Sequence, residues 1–240
     1  MTRAREIADH LEQVRTRVGR ALVAARRSSE SLRLLAVSKV VPAEDVAVAL
    51  SLGQRDFAES YGQELRDKQP AVAELVTRLG LPEPRWHFIG PLQTNKVKYV
   101  AGRVAVVHSA ASIDVLAEIE RKTVALGVAQ DCLVQVNVAG ETQKSGVSPG
   151  ELPGLLDHFA ALPHVRCAGL MVIPPYDEDP EQSRPQFAAL RRLRDEHARA
   201  ARPNVNLAEL SMGMSHDLEV AIAEGATMIR VGTAIFGARA

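Results

Sequence analysis

The chain has 240 residues, enough for one substantial core, and its 29 lysines and arginines balance 29 acids. No bulk field or local basic stripe favours nucleic acid or an anionic membrane, so the expected partner is a small molecule. The longest apolar runs, such as residues 21 to 25, are too short to span a bilayer. Glu6, Asp9 and Glu12 interrupt the N-terminus before a secretory or organelle-targeting pattern can form. Cys132 and Cys167 fall inside strand-like runs, where a buried apolar role is expected rather than a disulfide or metal site. The expectation is a cytoplasmic protein with one domain over 1–240.

Ile7, Leu11, Val14, Val18, Leu22 and Ala25 recur at helical spacing, so residues 3 to 27 read as one amphipathic helix. Short apolar or β-branched runs follow at 33 to 39, 55 to 60, 85 to 90, 104 to 110, 132 to 138, 165 to 173, 207 to 213 and 227 to 237. Helix-period segments separate these strands. Pro42 reads as a first helical position, with Glu44 and Asp45 in the first turn, where carboxylates favour the dipole. The stretches 148 to 151 and 179 to 182 each combine a capping residue, a proline and an acid or amide three positions on. In "QTNK", Thr94 reads as the cap of a polar helix start. About eight strand–helix repeats in a chain of this length predict an α/β fold, a single (β/α)8 TIM barrel with an extra N-terminal helix. An open doubly wound sheet is the runner-up, but no GxGxxG follows the first strand and no composition shift marks two halves.

In such a barrel the chemistry sits at the C-terminal strand ends. Here those ends are Lys39, Glu59-Ser60-Tyr61, His87, His108-Ser109, Gln135 with Asn137, Met171, "SMGMS" at 211 to 215, and Arg230. Alternation predicts Leu35, Val37 and Lys39 inside the barrel with Leu34 and Ala36 against the helices. It turns Val134, Val136 and Val138 outward and Gln135 and Asn137 inward, and sets Arg230 inside between outward Ile229 and Val231. Ser211, Gly213 and Ser215 after the seventh strand, and Gly232 and Thr233 after the eighth, suit a phosphate site built from free backbone N–H groups and hydroxyls. A partly desolvated lysine beside Arg230 is expected to have a depressed pKa and a substantial amine fraction. Lysine, phosphate cradle and a cation for a ring nitrogen together read as pyridoxal 5′-phosphate (PLP) held as a Schiff base. Plainer readings remain open: Lys39 as a rim lysine reaching solvent, Arg230 paired with Glu209, which alternation places on the inward face with Ser211, His87 and His108 as hydrogen-bonded structural groups, and Met171, Met212 and Met214 as packing.

The strings "LLAVSKVVP", "FAESYGQEL", "WHFIGPLQTNK", "VHSAASIDVL", "VQVNVAGETQKSGV", "GLMVIPP" and "LSMGMSHDLEVAIAEGATMIRVGTAIFG" together resemble the pyridoxal phosphate homeostasis protein family, which is related to the N-terminal barrel of alanine racemase. The resemblance runs from about residue 31 to the C-terminus. It implies that Lys39 carries PLP, that Ser211, Gly232 and Thr233 hold its phosphate, that Arg230 faces the pyridine nitrogen, and that Asn137, Met171, Met212 and Met214 line the pocket. Relatives commonly read F-G-E-N where this chain has Phe57-Ala58-Glu59-Ser60, and an acid where it has His216.

The resemblance therefore implies a non-enzymatic protein of intracellular PLP homeostasis that binds PLP reversibly and buffers or delivers it, with PLP-dependent apo-enzymes as candidate recipients. A racemase-like enzyme would need a second acid/base opposite the lysine, which racemases take from a further C-terminal domain. A sugar-phosphate barrel enzyme using Lys39 on its substrate, and a pure interaction protein, compete with the carrier reading. A monomer with no nucleic-acid or membrane partner is expected.

Overall fold

A computed structural model describes residues 2–140 and 145–238. Residues 141–144, part of the "VQVNVAGETQKSGV" string, lie outside the described residues. Eight strands pair in sequence order, all in parallel, and the last closes on the first: β1 (Arg33–Val37), β2 (Asp56–Glu59), β3 (Arg85–Phe88), β4 (Val106–Ala110), β5 (Gln130–Gln135), β6 (Val165–Met171), β7 (Val205–Ser211) and β8 (Met228–Val231). Helices α1 (Arg3–Ala24), α2 (Ala43–Ser51), α3 (Gly62–Leu79), α4 (Ile113–Leu126), α5 (Leu152–His158), α6 (Arg184–His197), α7 (Leu218–Ala223) and α8 (Thr233–Phe236) accompany them. Between β3 and β4 the connection is a 3₁₀ segment, Thr94–Tyr99; its cap position is Gln93, with no side-chain capping bond, so Thr94 does not cap it. Among the described residues no helix is long and apolar enough to cross a membrane.

Alternation divides the apolar residues into two cores. Leu35, Val37, Ala58, Val106, Leu133, Met171 and Met228 pack inside the barrel, while Ala36, Val134, Val136, Ile229 and Val231 face the helices. The predicted faces of β1, β5 and β8 hold. One stripe of α1, Ile7, Leu11, Val14 and Leu22, is buried, each side chain contributing roughly 1.5–3 kcal/mol. The helix ends at Ala24 rather than near 27, because Arg26 turns the chain at φ 55° and Arg27 donates instead to the carbonyls of Ile222 and Ala226 at 2.9 and 2.7 Å.

Other boundaries shift for local reasons. Pro42 occupies the cap position, and α2 begins one residue later. β8 stops at Val231 and the following "TAIF" winds into α8; a short apolar run does not distinguish strand from helix by period alone. The box at Ser148 closes, its N–H and hydroxyl donating to Glu151 Oε2 at 2.8 and 2.7 Å. Cys132 and Cys167 are free, buried neighbours on β5 and β6.

Gly90, just past β3, lets two strand ends meet: a Cβ there would lie 1.9 Å from the Ser60 carbonyl oxygen. Gly90→Ala is therefore expected to cost about 1–3 kcal/mol through overpacking, read as a lower denaturant midpoint at unchanged slope.

Candidate functional site

The inward positions of β1 run Leu35, Val37 and then Lys39, in the turn beyond the strand. That turn is clamped. Ser38 is fully buried; its N–H donates to Ala58 O at 3.0 Å and its hydroxyl to Glu59 Oε1 at 2.7 Å. From α3, Lys68 Nζ donates to Ser38 O at 2.5 Å, Glu59 Oε1 at 2.8 Å and Glu64 Oε1 at 2.6 Å. Val40 N–H donates to the same Glu64 oxygen at 2.5 Å. Val40 sits at φ 53°, a left-handed conformation that costs a residue with a Cβ about 1–2 kcal/mol. Hydrogen bonds to charged groups contribute about 1.5–3 kcal/mol each, so the clamp outweighs the strain and fixes Lys39. Burial pushes the Glu59 carboxyl above its usual range, Lys68 and Ser38 opposing only in part.

Half-buried Lys39 opens into a cleft of about 490 Å³ at the C-terminal mouth of the barrel. Val37, Ile89 and Ile173 supply apolar wall and Ser60 and Tyr61 follow from β2. Arg230, Gly232 and Thr233 line the β8 side, and Met214, Ser215 and His216 come from the turn after β7. Thr233 Oγ1 lies 3.4 Å from Ser215 Oγ. The N-terminal helix braces both turns: Arg17 donates to Ser215 O at 3.1 Å while pairing with Glu219, and Arg3 donates to Phe236 O at 2.7 Å.

Arg230 is buried on the inward face of β8, donating from Nη1 to Ser211 Oγ at 2.7 Å and from Nη2 to Val172 O at 2.9 Å. It does not pair with Glu209, whose carboxylate takes Arg33 and Thr227. Burial lowers the Arg230 guanidinium to about 10, with Asp217 opposing, so it remains a cation near neutrality. Behind Ser211 runs a file of buried polar groups. His108 Nδ1 lies 2.8 Å from Ser211 Oγ, His108 Nε2 lies 3.0 Å from His87 Nδ1, and His87 Nε2 lies 3.1 Å from Asp56 Oδ1. Burial, reinforced by His87, Arg230 and Arg33, holds His108 well below 6.5. Burial pushes Asp56 upward, but hydrogen bonds from His87 and Arg85 prevail and leave it below the usual carboxylate range.

Six of the residues expected in the site thus share the cleft: Lys39, Met214, Ser215, Arg230, Gly232 and Thr233. Asn137 lines an adjoining cavity of about 220 Å³ that has Ile89, Pro91 and Ile173 in common with it. Ser211 lies inside the barrel with its hydroxyl against Arg230 and His108. Met171 belongs to the barrel interior and Met212 to the helix-facing core; of the methionines considered, Met214 is the one on the cleft wall.

The model of the alanine racemase N-terminal domain family matches residues 10–240. A pyridoxal phosphate homeostasis protein of Aquifex aeolicus is 44% identical over 231 residues, covering 96% of this chain and 97% of the relative. The chain belongs to the pyridoxal phosphate homeostasis protein family. Two solved structures agree with that membership: a Bifidobacterium adolescentis protein with TM-score 0.91, 36% identity and coverage of 98% and 96%, and PipY of Synechococcus elongatus with PLP bound, at TM-score 0.82, 35% identity and coverage of 96% and 100%.

Within this homeostasis-family barrel, sequence reasoning misses the clamp, although Glu64 and Lys68 stand at the i, i+4 spacing of a helical ion pair. Strand alternation places Ser211 on the inward face with Glu209, and the structure has it there, against Arg230 and His108, while Ser215 lines the cleft.

Lys68→Met removes the partner of a fully buried carboxylate, so a loss of about 3 kcal/mol in denaturant stability is expected, and Gly at position 40 in the same background should return part of it. The proton affinity of His108 also sets a pH dependence. Its folded form binds a proton less readily than its unfolded form, so stability falls as pH drops below 6.5. His108→Gln should flatten the wild-type slope between pH 6.5 and 5 by up to about 1.4 kcal/mol per unit, measured by urea titrations at several pH values.

Proposed function

We propose that this protein binds pyridoxal 5′-phosphate reversibly as a Schiff base on Lys39 and serves its homeostasis, buffering or delivering it without robust catalysis. The observation that carries the reading is the meeting, in one cleft, of an amine, a buried guanidinium and a hydroxyl-rich pair of turns, in a family whose relative PipY has a structure with PLP bound. The cleft volume lies within the range of about 300–1,000 Å³ usual for small-molecule sites. The donor set fits the group. Lys39 supplies a nitrogen for the aldehyde, Arg230 a cation for the ring nitrogen, and Thr233, Ser215 and the amides following Gly232 supply donors for the phosphate.

When bound, PLP offers an electrophilic aldehyde and a ring able to accept electrons. The chain's own groups restrain the second capacity. A guanidinium lowered only to about 10 keeps its proton near neutrality, so Arg230 donates a hydrogen bond without delivering the full pyridinium proton that strong carbanion stabilisation needs. Lys39 is half-buried in an open cleft, which suits exchange with free amines and release. Curated relatives at 36–44% identity carry the name of a homeostasis protein and not of an enzyme. The wider proposal is a cytoplasmic monomer, one domain over 1–240, with PLP-dependent apo-enzymes as recipients and no nucleic-acid or membrane partner.

After incubation with PLP and desalting, the wild type should retain a near-visible absorption band, borohydride should fix the adduct on the Lys39 peptide, and Lys39→Ala should show neither. Absence of the band from wild type would overturn the reading. Chiral product analysis after incubation with common amino acids should find no turnover above free PLP.

A further inference from the structure

Arg230 is a buried cation that forms no ion pair among the described residues. Such a charge is tolerated only when its donors meet well-oriented acceptors. One acceptor is the fixed carbonyl of Val172; the other is the Ser211 hydroxyl, which is free to rotate and accepts well only if its own proton is directed elsewhere. The single other polar neighbour of Ser211 Oγ among the described residues is His108 Nδ1. If Ser211 donates there, Nδ1 of His108 is unprotonated and its proton sits on Nε2, which then donates to His87 Nδ1; the His87 proton in turn sits on Nε2 and faces Asp56.

A second arrangement satisfies the same distances: an imidazolium at His87 paired with Asp56, and His108 protonated on Nδ1 and donating to Ser211. That arrangement makes Ser211 Oγ accept twice and leaves its fully buried proton with no acceptor. It also places a second cation in the barrel interior. The first arrangement leaves no donor idle and runs every bond from the guanidinium toward the carboxylate, a polarised chain in which each link strengthens the next.

We infer that His108 and His87, anchored by Asp56, are positioning residues that orient the Ser211 hydroxyl and thereby hold the Arg230 guanidinium toward the cofactor cleft. Resting on the PLP reading above, this assigns Ser211 to the ring end of the ligand through Arg230, and leaves phosphate contact to Ser215, Gly232 and Thr233. His108→Gln presents an acceptor and a donor about as far apart as the two imidazole nitrogens and so preserves the chain; His108→Leu breaks it.

The test has two parts. In ¹⁵N-histidine-labelled protein without PLP at pH 7.5, both histidines should show the neutral pattern with the proton on Nε2. A proton on Nδ1 of His108, or an imidazolium at His87, overturns the chain whether or not PLP binds. In PLP titrations, His108→Leu and Ser211→Ala should weaken binding about tenfold and shift the near-visible band, with His108→Gln within about twofold of wild type. The ratio of affinities for PLP and phosphate-free pyridoxal should be unchanged in Ser211→Ala and reduced in Ser215→Ala. A Ser211→Ala loss confined to PLP would make Ser211 a phosphate ligand and overturn the assignment. Failure of the wild type to bind either ligand would instead sink the functional reading, leaving the tautomers to decide the chain.

Discussion

A guanidinium buried at the end of β8 with no ion pair among the described residues is the constraint around which the upper barrel is organised. Transferring such a charge from water costs several kcal/mol even after relaxation, so its acceptors must be fixed before the charge is stable. The closed parallel barrel provides them. Inward positions of five different strands, Asp56, His87, His108, Ser211 and Arg230, form one continuous file of hydrogen bonds. No single strand and no local motif could assemble that file; closure does. The same closure leaves the other side of Arg230 facing the cleft that holds Lys39.

Lys39 is positioned by different means. Its turn is strained at Val40 and restrained by three polar contacts radiating from α3, so the amine is set by the surface of the barrel while Arg230 is set by its interior. The phosphate-type turns have a third support, the N-terminal helix, whose Arg17 and Arg3 bind backbone carbonyls at Ser215 and Phe236. A helix outside the eightfold repeat thereby becomes part of the site's framework. Three independent supports converge on a small space, which is why the cleft retains polar groups aimed inward without collapsing onto its apolar walls.

Much of this can be read from the sequence because a period of two is visible in short runs. Val134, Val136 and Val138 interleaved with Gln135 and Asn137 give both the strand and its faces, and Lys39 two beyond Val37 gives an inward amine. Strand ends are less legible, since "TAIF" is as apolar as a strand and folds as a helix. Partners across the barrel are not legible at all: whether Arg230 takes Glu209 or Ser211 depends on stagger between strands, which alternation does not determine. Lys68 is hidden for the same reason, as a helical lysine whose acceptors lie on β2 and in the Lys39 turn.

The most direct test is a crystal structure of the protein soaked with PLP, at a resolution that separates the phosphate from the ring. Continuous density from Lys39 Nζ to the ligand is expected, with the phosphate against Gly232, Thr233 and Ser215, and Arg230 at the ring nitrogen with its bond to Ser211 intact. A ligand bound away from Lys39, or an Arg230 that has left Ser211 to meet the phosphate, would contradict this arrangement.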